Sequence, residues 1–311
     1  MTDQTVGVPE QQPPQIAGLA SGGAGSRRFR GARNYLALVP FHLYLGIFLI
    51  IPTLIVAIGA FTTADGKPTM DNISVLFSDP TIVNAFVYSI QLSLVTAIVG
   101  AVLGGLLAWA VARGKPNGLL RQLVIAASGV LAQFGGVMLA FAFLAAFGFN
   151  GLATLFLRDT LRLDLLNDPT WIYGFVGLVV VYTYFQIPLM LIVFLPSLDG
   201  LRQEWYDASA SLGGSPGSFW RHIGGPILAP SFLGALLLLF TNAFSAYATA
   251  AALISQGSPL VTLQIASSLE SEVLLGRENV GKALALGMIV IVSIVMVIYA
   301  LIQRRASRWV R

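Results

Sequence analysis

From Pro80 to Ala112 the chain reads PTIVNAFVYSIQLSLVTAIVGAVLGGLLAWAVA, without a single Asp, Glu, Lys or Arg. A bilayer with a hydrocarbon core about 30 Å thick is crossed by a helix of roughly 20 apolar residues, and this run is longer than that. Comparable uncharged stretches lie at Tyr35 to Ala64, Gln122 to Leu157, Pro169 to Leu198, His222 to Leu269 and Ala283 to Gln303. Each holds one span, because Gly224, Gly225, Pro226 and Pro230 mark the start of the longest as interfacial and Gly257 to Pro259 interrupts its far end. Spans are therefore expected near 36–61, 86–111, 122–148, 171–194, 230–254 and 283–303. The fold class is all-α, a polytopic membrane protein, since a spanning backbone must satisfy its own hydrogen bonds.

Composition agrees. Hydrophobic residues make up 56% of the 311 residues and charged ones 10%, and the mean hydropathy is +0.79, which excludes a soluble domain. Little chain is left for a separate enzyme domain. The net charge of +4 is concentrated in short clusters beside apolar runs, so it sets orientation rather than binding nucleic acid. The absence of cysteine excludes disulfides, thiol chemistry and cysteine metal sites. Residues 1–33, rich in Gly, Pro, Gln and Ser and ending in Arg27, Arg28, Arg30 and Arg33, read as a disordered basic tail ahead of a membrane domain over 34–311.

Lys and Arg near the span ends fix the expected orientation. The N-terminal arginines, Arg113, Lys115, Arg121, Arg202, Arg221 and the C-terminal arginines fall on one side. The opposite loops carry more acids, including Asp65, Asp71, Asp79, Asp164, Asp168, Glu270 and Glu272. Both termini should be cytoplasmic.

No Asp, Glu, Lys or Arg lies within an expected span, which argues against a proton-driven carrier or a voltage sensor. A sodium site built from carbonyls and hydroxyls stays open, as does a scaffold without transport activity. An intramembrane enzyme would need carboxylates, a metal cluster or a nucleophile and base at membrane depth, and the spans supply none. His42, isolated near a membrane boundary, is assigned no role.

The loop over about 199–229 is the most informative segment. Glu204 to Leu212 has helix-compatible composition and stops at Gly213-Gly214. Ser215 and Pro216 then supply an N-cap and a first-turn proline for a second short helix carrying Phe219, Trp220 and Ile223. Apolar side chains on an aqueous loop imply a partner that covers them.

This loop resembles the signature of permease subunits of ATP-binding-cassette importers: Glu-Ala-Ala, three residues, Gly, nine residues, then Ile-x-Leu-Pro. Here Asp207-Ala208-Ser209 is followed by Gly213 four positions after Ser209, by Ile223 ten positions after Gly213, and by Gly225-Pro226. The spacing is kept, with Asp for Glu, Ser for the second Ala and Gly for Leu. Asn150-Gly151-Leu152, Gln186-Ile187-Pro188-Leu189 and the run Leu239 to Tyr247 are similar to the polyamine, phosphonate and iron branch, and the sugar branch remains open. The resemblance implies a type I importer permease in a prokaryotic cell membrane, with a cytoplasmic coupling helix in the loop. Asp207, Ala208, Ser209, Gly213, Ile223 and Pro226 would engage an ATPase. It further implies a homologous second permease, two ATPase subunits that bind ATP and Mg, and an extracytoplasmic solute-binding protein. No cofactor is expected in this chain, which lacks a Gly-x-x-x-x-Gly-Lys-Ser/Thr phosphate loop.

Candidate pathway residues come from a polar stripe. On a continuous helix, Asn242, Ser245, Thr249 and Gln256 fall within about 60 degrees of one another. Gln186, beside Pro188, is the fourth-span counterpart. Small polar residues also glue membrane helices together, so both readings stand. Gly100-x-x-x-Gly104 with Gly105 and Ala108 reads as close helix packing.

Overall fold

The computed structural model describes residues 39–160, 169–254, 259–270 and 278–306. The expected tail over residues 1–33 lies outside them. The chain divides between Ile55 and Val56 into two units. The first unit's described part is the beginning of helix α1 (Val39–Ala60), which passes through a π turn at Gly46–Ile50. The last turn of α1 belongs to the second unit, which holds everything else.

In that unit, α2 (Asp71–Ser78) leads into the long α3 (Pro80–Ala112), whose first turn is capped by the Asp79 carboxylate accepting from the Thr81 N–H. Then follow α4 (Leu119–Gln133), α5 (Gly136–Phe147), α6 (Leu152–Leu155), α7 (Phe175–Asp199) and α8 (Gln203–Ser211). The remainder is α9 (Pro216–Phe244), α10 (Ala248–Leu253), α11 (Val261–Glu270) and α12 (Glu278–Ala306). Among the described residues the chain is helical apart from turns and one isolated bridge between Thr62 and Pro68. Six helical segments are long and apolar enough to cross a membrane: Val39–Ala60, Pro80–Ala112, Gly136–Thr160, Phe175–Asp199, Pro216–Phe244 and Asn279–Arg304.

The centre of the bundle is α3 against α7, with α9 packed on both. Glycines allow the approach. A Cβ on Gly104 would lie 2.6 Å from both the Ile187 carbonyl oxygen and Met190 Cβ, and one on Gly100 would lie 2.6 Å from Gln186 Cβ. The Gly-x-x-x-Gly pattern therefore serves packing. Leu239, Met190, Leu191 and Ala101 fill the junction, all 0% exposed.

Three expectations about the spans change. The span at 122–148 is two helices meeting at Phe134-Gly135-Gly136, where Gly136 has φ +70, a conformation that ends a helix. The span at 230–254 starts much earlier, at Pro216, and stops at Phe244. Pro226 and Pro230 do not mark its start. The helix passes them after a π turn over Trp220–Gly224, the form of bulge by which a helix absorbs a lost hydrogen bond. Beyond Phe244 the backbone leaves the helix at Ser245–Tyr247 and resumes as α10.

Candidate coupling loop and translocation pathway

The loop after α7 opens with an ion pair. Arg121, at the start of α4, bonds the carboxylate of Asp199, the last residue of α7. Arg202 then precedes α8, whose first turn holds Glu204, a charge that complements the helix N-terminal dipole.

Helix α8 ends in a Schellman turn. The Gly213 N–H donates to the Ala210 carbonyl at 2.9 Å and the Gly214 N–H to the Ser209 carbonyl at 2.9 Å. Gly213 has φ +80 with nothing within 4 Å of where a Cβ would stand, so its requirement is purely conformational. Gly214 is constrained by space instead, since its Cβ would come within 2.6 Å of Ser209 Oγ and 2.8 Å of the Ser209 carbonyl oxygen. The side chain of Ser215 caps the next helix by accepting from the Ser218 N–H at 3.2 Å.

The expected glycine turn and proline start are thus present, but two details differ. The second helix is the first part of α9, not a separate element. Its apolar side chains also turn inward: Phe219 is 5% exposed, packs edge-on against Tyr206 of α8 at 5.3 Å, and holds α8 against the bundle. The apolar group left outside is Leu212, 89% exposed at the end of α8, with Trp205 at the limit of exposure. Sequence reasoning missed Leu212. Its signal was a large aliphatic residue directly before the glycine pair, where a buried face would not extend.

Of the signature positions, Asp207 and Ala208 are exposed on α8, and Asp207 accepts a bond from Gln203 Nε2 at 3.2 Å. Ser209 is half-buried under the turn, Ile223 is half-buried in the π turn, and Pro226 is exposed on α9. Asp207, Ala208 and Gly213 are exposed at the loop, whereas Ile223 and Pro226 belong to the membrane helix.

The polar stripe is not one helix face, because the break at Ser245–Tyr247 separates its members. Asn242 and Ser245 are exposed at the end of α9, and Ser245 Oγ donates to the Thr241 carbonyl at 2.9 Å. Thr249 is buried in α10 and its hydroxyl oxygen accepts the Gly136 N–H at 2.9 Å. Gln256 lies outside the described residues. Tyr182 of α7 donates its hydroxyl to the Ala246 carbonyl at 3.0 Å, inside the break. Two broken helices therefore meet, with α10 packed along α5.

Gln186 is 0% exposed at the junction of α3, α7 and α9. Its Nε2 donates to Thr96 Oγ1 at 3.4 Å and its Oε1 has no partner. Ser89, Ser93 and Thr96 continue this polar column along α3, each buried. Among the described residues no group of three or more His, Cys, Asp or Glu side chains is placed to hold a metal ion.

No family model matches the sequence. The chain is 27% identical over 256 residues to the trehalose transport system permease protein SugB of Mycobacterium tuberculosis, a match covering 78% of this chain and 82% of that relative. Over a shorter stretch of 101 residues it is 33% identical to the spermidine/putrescine transport system permease protein PotC homolog of Mycoplasma pneumoniae, covering 31% of this chain and 35% of that one. In fold it is similar to a chain in the crystal structure of a bacterial ABC transporter involved in the import of the acidic polysaccharide alginate, with a TM-score of 0.64 over 91% of this chain and 98% of that chain at 18% identity.

Proposed function

Starting from a chain that is kin to ABC transporter permeases and folded like one, we propose that it supplies half of the transmembrane pathway of an ATP-driven importer. The observation that carries this reading is the Schellman turn at Gly213-Gly214, which projects Asp207, Ala208 and the exposed Leu212 from the bundle at the spacing of the importer signature. In this reading the surface docks in a groove of an ATPase subunit. The concentration of Arg113, Lys115, Arg121, Arg202 and Arg221 at that end supports a cytoplasmic position for it, and in this reading the membrane is that of a prokaryotic cell.

Each tenfold solute gradient requires about 1.4 kcal/mol. With no phosphate loop in the sequence and no carboxylate within the apolar runs, that energy enters through the loop from ATP bound, with Mg, by two partner ATPases. A second permease, homologous to this one, completes the pathway, and an extracytoplasmic binding protein delivers the solute. The exposed Asn242 and Ser245, beside the break that follows α9, are the residues of this chain that face it, while Thr249 and Gln186 hold the helices around it. The solute is small and polar or charged. Relatives named for a polyamine and for a sugar both support that class, and the polyamine-like or phosphonate reading rests on the resemblance around Asn150, Gln186 and Asn242.

The experiment is uptake into vesicles containing the assembled complex, at constant internal ATP with a protonophore present. Continued uptake is expected, and collapse with the proton gradient would favour a secondary carrier.

A further inference from the structure

A cavity of about 300 Å³ lies where α8 and the start of α9 fold over the ends of α3 and α7. Its charged lining residues are Arg113 and Arg202, with Gln203 beside them, and its other walls include Trp109, Tyr206, Phe219 and Trp220. The guanidinium carbon of Arg113 lies over the Trp109 ring, 3.7 Å from its centroid, so the ring holds the cation without neutralising it. Of the nearby acids, Asp199 pairs with Arg121 and Asp207 accepts from Gln203, while Glu204 in the first turn of α8 is exposed and does not line the cavity. Among the described residues neither Arg113 nor Arg202 has an acidic partner.

The position of the cavity selects its ligand. It sits where both α3 and α7 pass from uncharged sequence to charged, at Arg113 and Asp199, the level of the bilayer headgroups. Tryptophan and arginine at that depth suit a molecule with one wet and one apolar end. Leu198 and Leu201 line the same cavity and give it an apolar side. We infer that this cavity binds the phosphate of an anionic phospholipid between Arg113 and Arg202, with the glycerol and the start of the acyl chains against the apolar side. Planar guanidinium groups hold phosphate oxygens through paired hydrogen bonds, which a lysine cannot match. Because α8 forms one wall through Tyr206, a bound lipid would brace the loop that carries Leu212 and Gly213. This inference concerns any membrane in which the chain sits and does not depend on the solute or on the transport reading.

The test uses the full-length chain in detergent, titrated with phosphatidylglycerol or phosphatidylcholine and read by native mass spectrometry. One tightly retained phosphatidylglycerol is expected, with retention reduced roughly tenfold or more in Arg113→Gln/Arg202→Gln. The charge-matched control Lys67→Gln/Lys115→Gln should retain it as the parent does. Soluble glycerophosphate in excess should not displace it. A photoreactive phosphatidylglycerol should crosslink in the unaltered chain at Trp109, Arg113 or Tyr206, a readout independent of whether the double variant folds. Equal retention by the two double variants, displacement by glycerophosphate, or crosslinks confined to other helices would overturn the inference.

Discussion

The Gly136 N–H donates to the hydroxyl oxygen of Thr249 across 2.9 Å, joining the break between α4 and α5 to the helix that follows the break in α9. Tyr182 closes the same region from α7 by donating to the Ala246 carbonyl. Broken membrane helices expose backbone groups that lipid cannot satisfy, so such bonds are conditions of the fold rather than ornaments of it.

Thr249→Val removes the acceptor and leaves the half-buried Gly136 N–H unpaired, at a cost of about 1 kcal/mol. Thr249→Ser restores the hydroxyl. Thermal unfolding in detergent should therefore rank the parent and the serine variant together, above the valine variant. A valine variant as stable as the parent would show that another group serves Gly136.

Glycines in two helices should respond in opposite ways. Gly129 lies mid-helix in α4 with nothing within 4 Å of its Cβ position, so Gly129→Ala should be neutral or stabilising by up to about 1 kcal/mol. Gly104→Ala pushes a methyl toward the Ile187 carbonyl and Met190, so it should separate α3 from α7 and lower the yield of folded chain. Size-exclusion profiles and unfolding midpoints of the two variants provide the comparison.

The absence of cysteine makes the topology testable with single introduced thiols. In intact cells a membrane-impermeant maleimide should label Asp65→Cys and should not label Lys115→Cys or Ser211→Cys until the cells are opened. Labelling of Ser211→Cys from outside would reverse the proposed orientation.

Much of this architecture is legible in the sequence because the bilayer imposes a simple rule on composition. The uncharged runs locate α3 and α7 and put the loop at Asp199, and Gly213-Gly214 reads correctly as a helix stop. What the runs do not encode is where a helix breaks inside apolar sequence. Phe134 to Gly136 and Ser245 to Tyr247 interrupt their helices without a charge or a proline, and the bonds that stabilise the breaks come from Thr249 and Tyr182, distant in the chain. Conversely, Pro226 and Pro230 look like a boundary, yet a π turn at Trp220–Gly224 carries the helix through. The polar stripe failed for the first reason, since its geometry assumed a helix that ends at Phe244. The inward turn of Phe219 depends on its contact with Tyr206, which local amphipathicity does not reveal.

Variants at Asn242 and Gly213 test separately the two tasks proposed for the chain. Asn242→Ala, at an exposed site on α9 remote in sequence from the loop, should lower uptake while leaving ATP hydrolysis by the assembled complex intact. Gly213→Asn should be tolerated, because asparagine enters the left-handed region readily.

Gly213→Glu adds backbone strain of roughly 1–2 kcal/mol at φ +80 and places a bulky charge beside Leu212 on the exposed surface. The decisive measurement is ATP hydrolysis carried by the affinity-purified chain from its own membrane, compared between the parent and this variant at matched membrane abundance. The account predicts that the parent carries hydrolysis and that Gly213→Glu inserts normally but has lost most of it. Undiminished hydrolysis together with undiminished solute uptake in Gly213→Glu would contradict it.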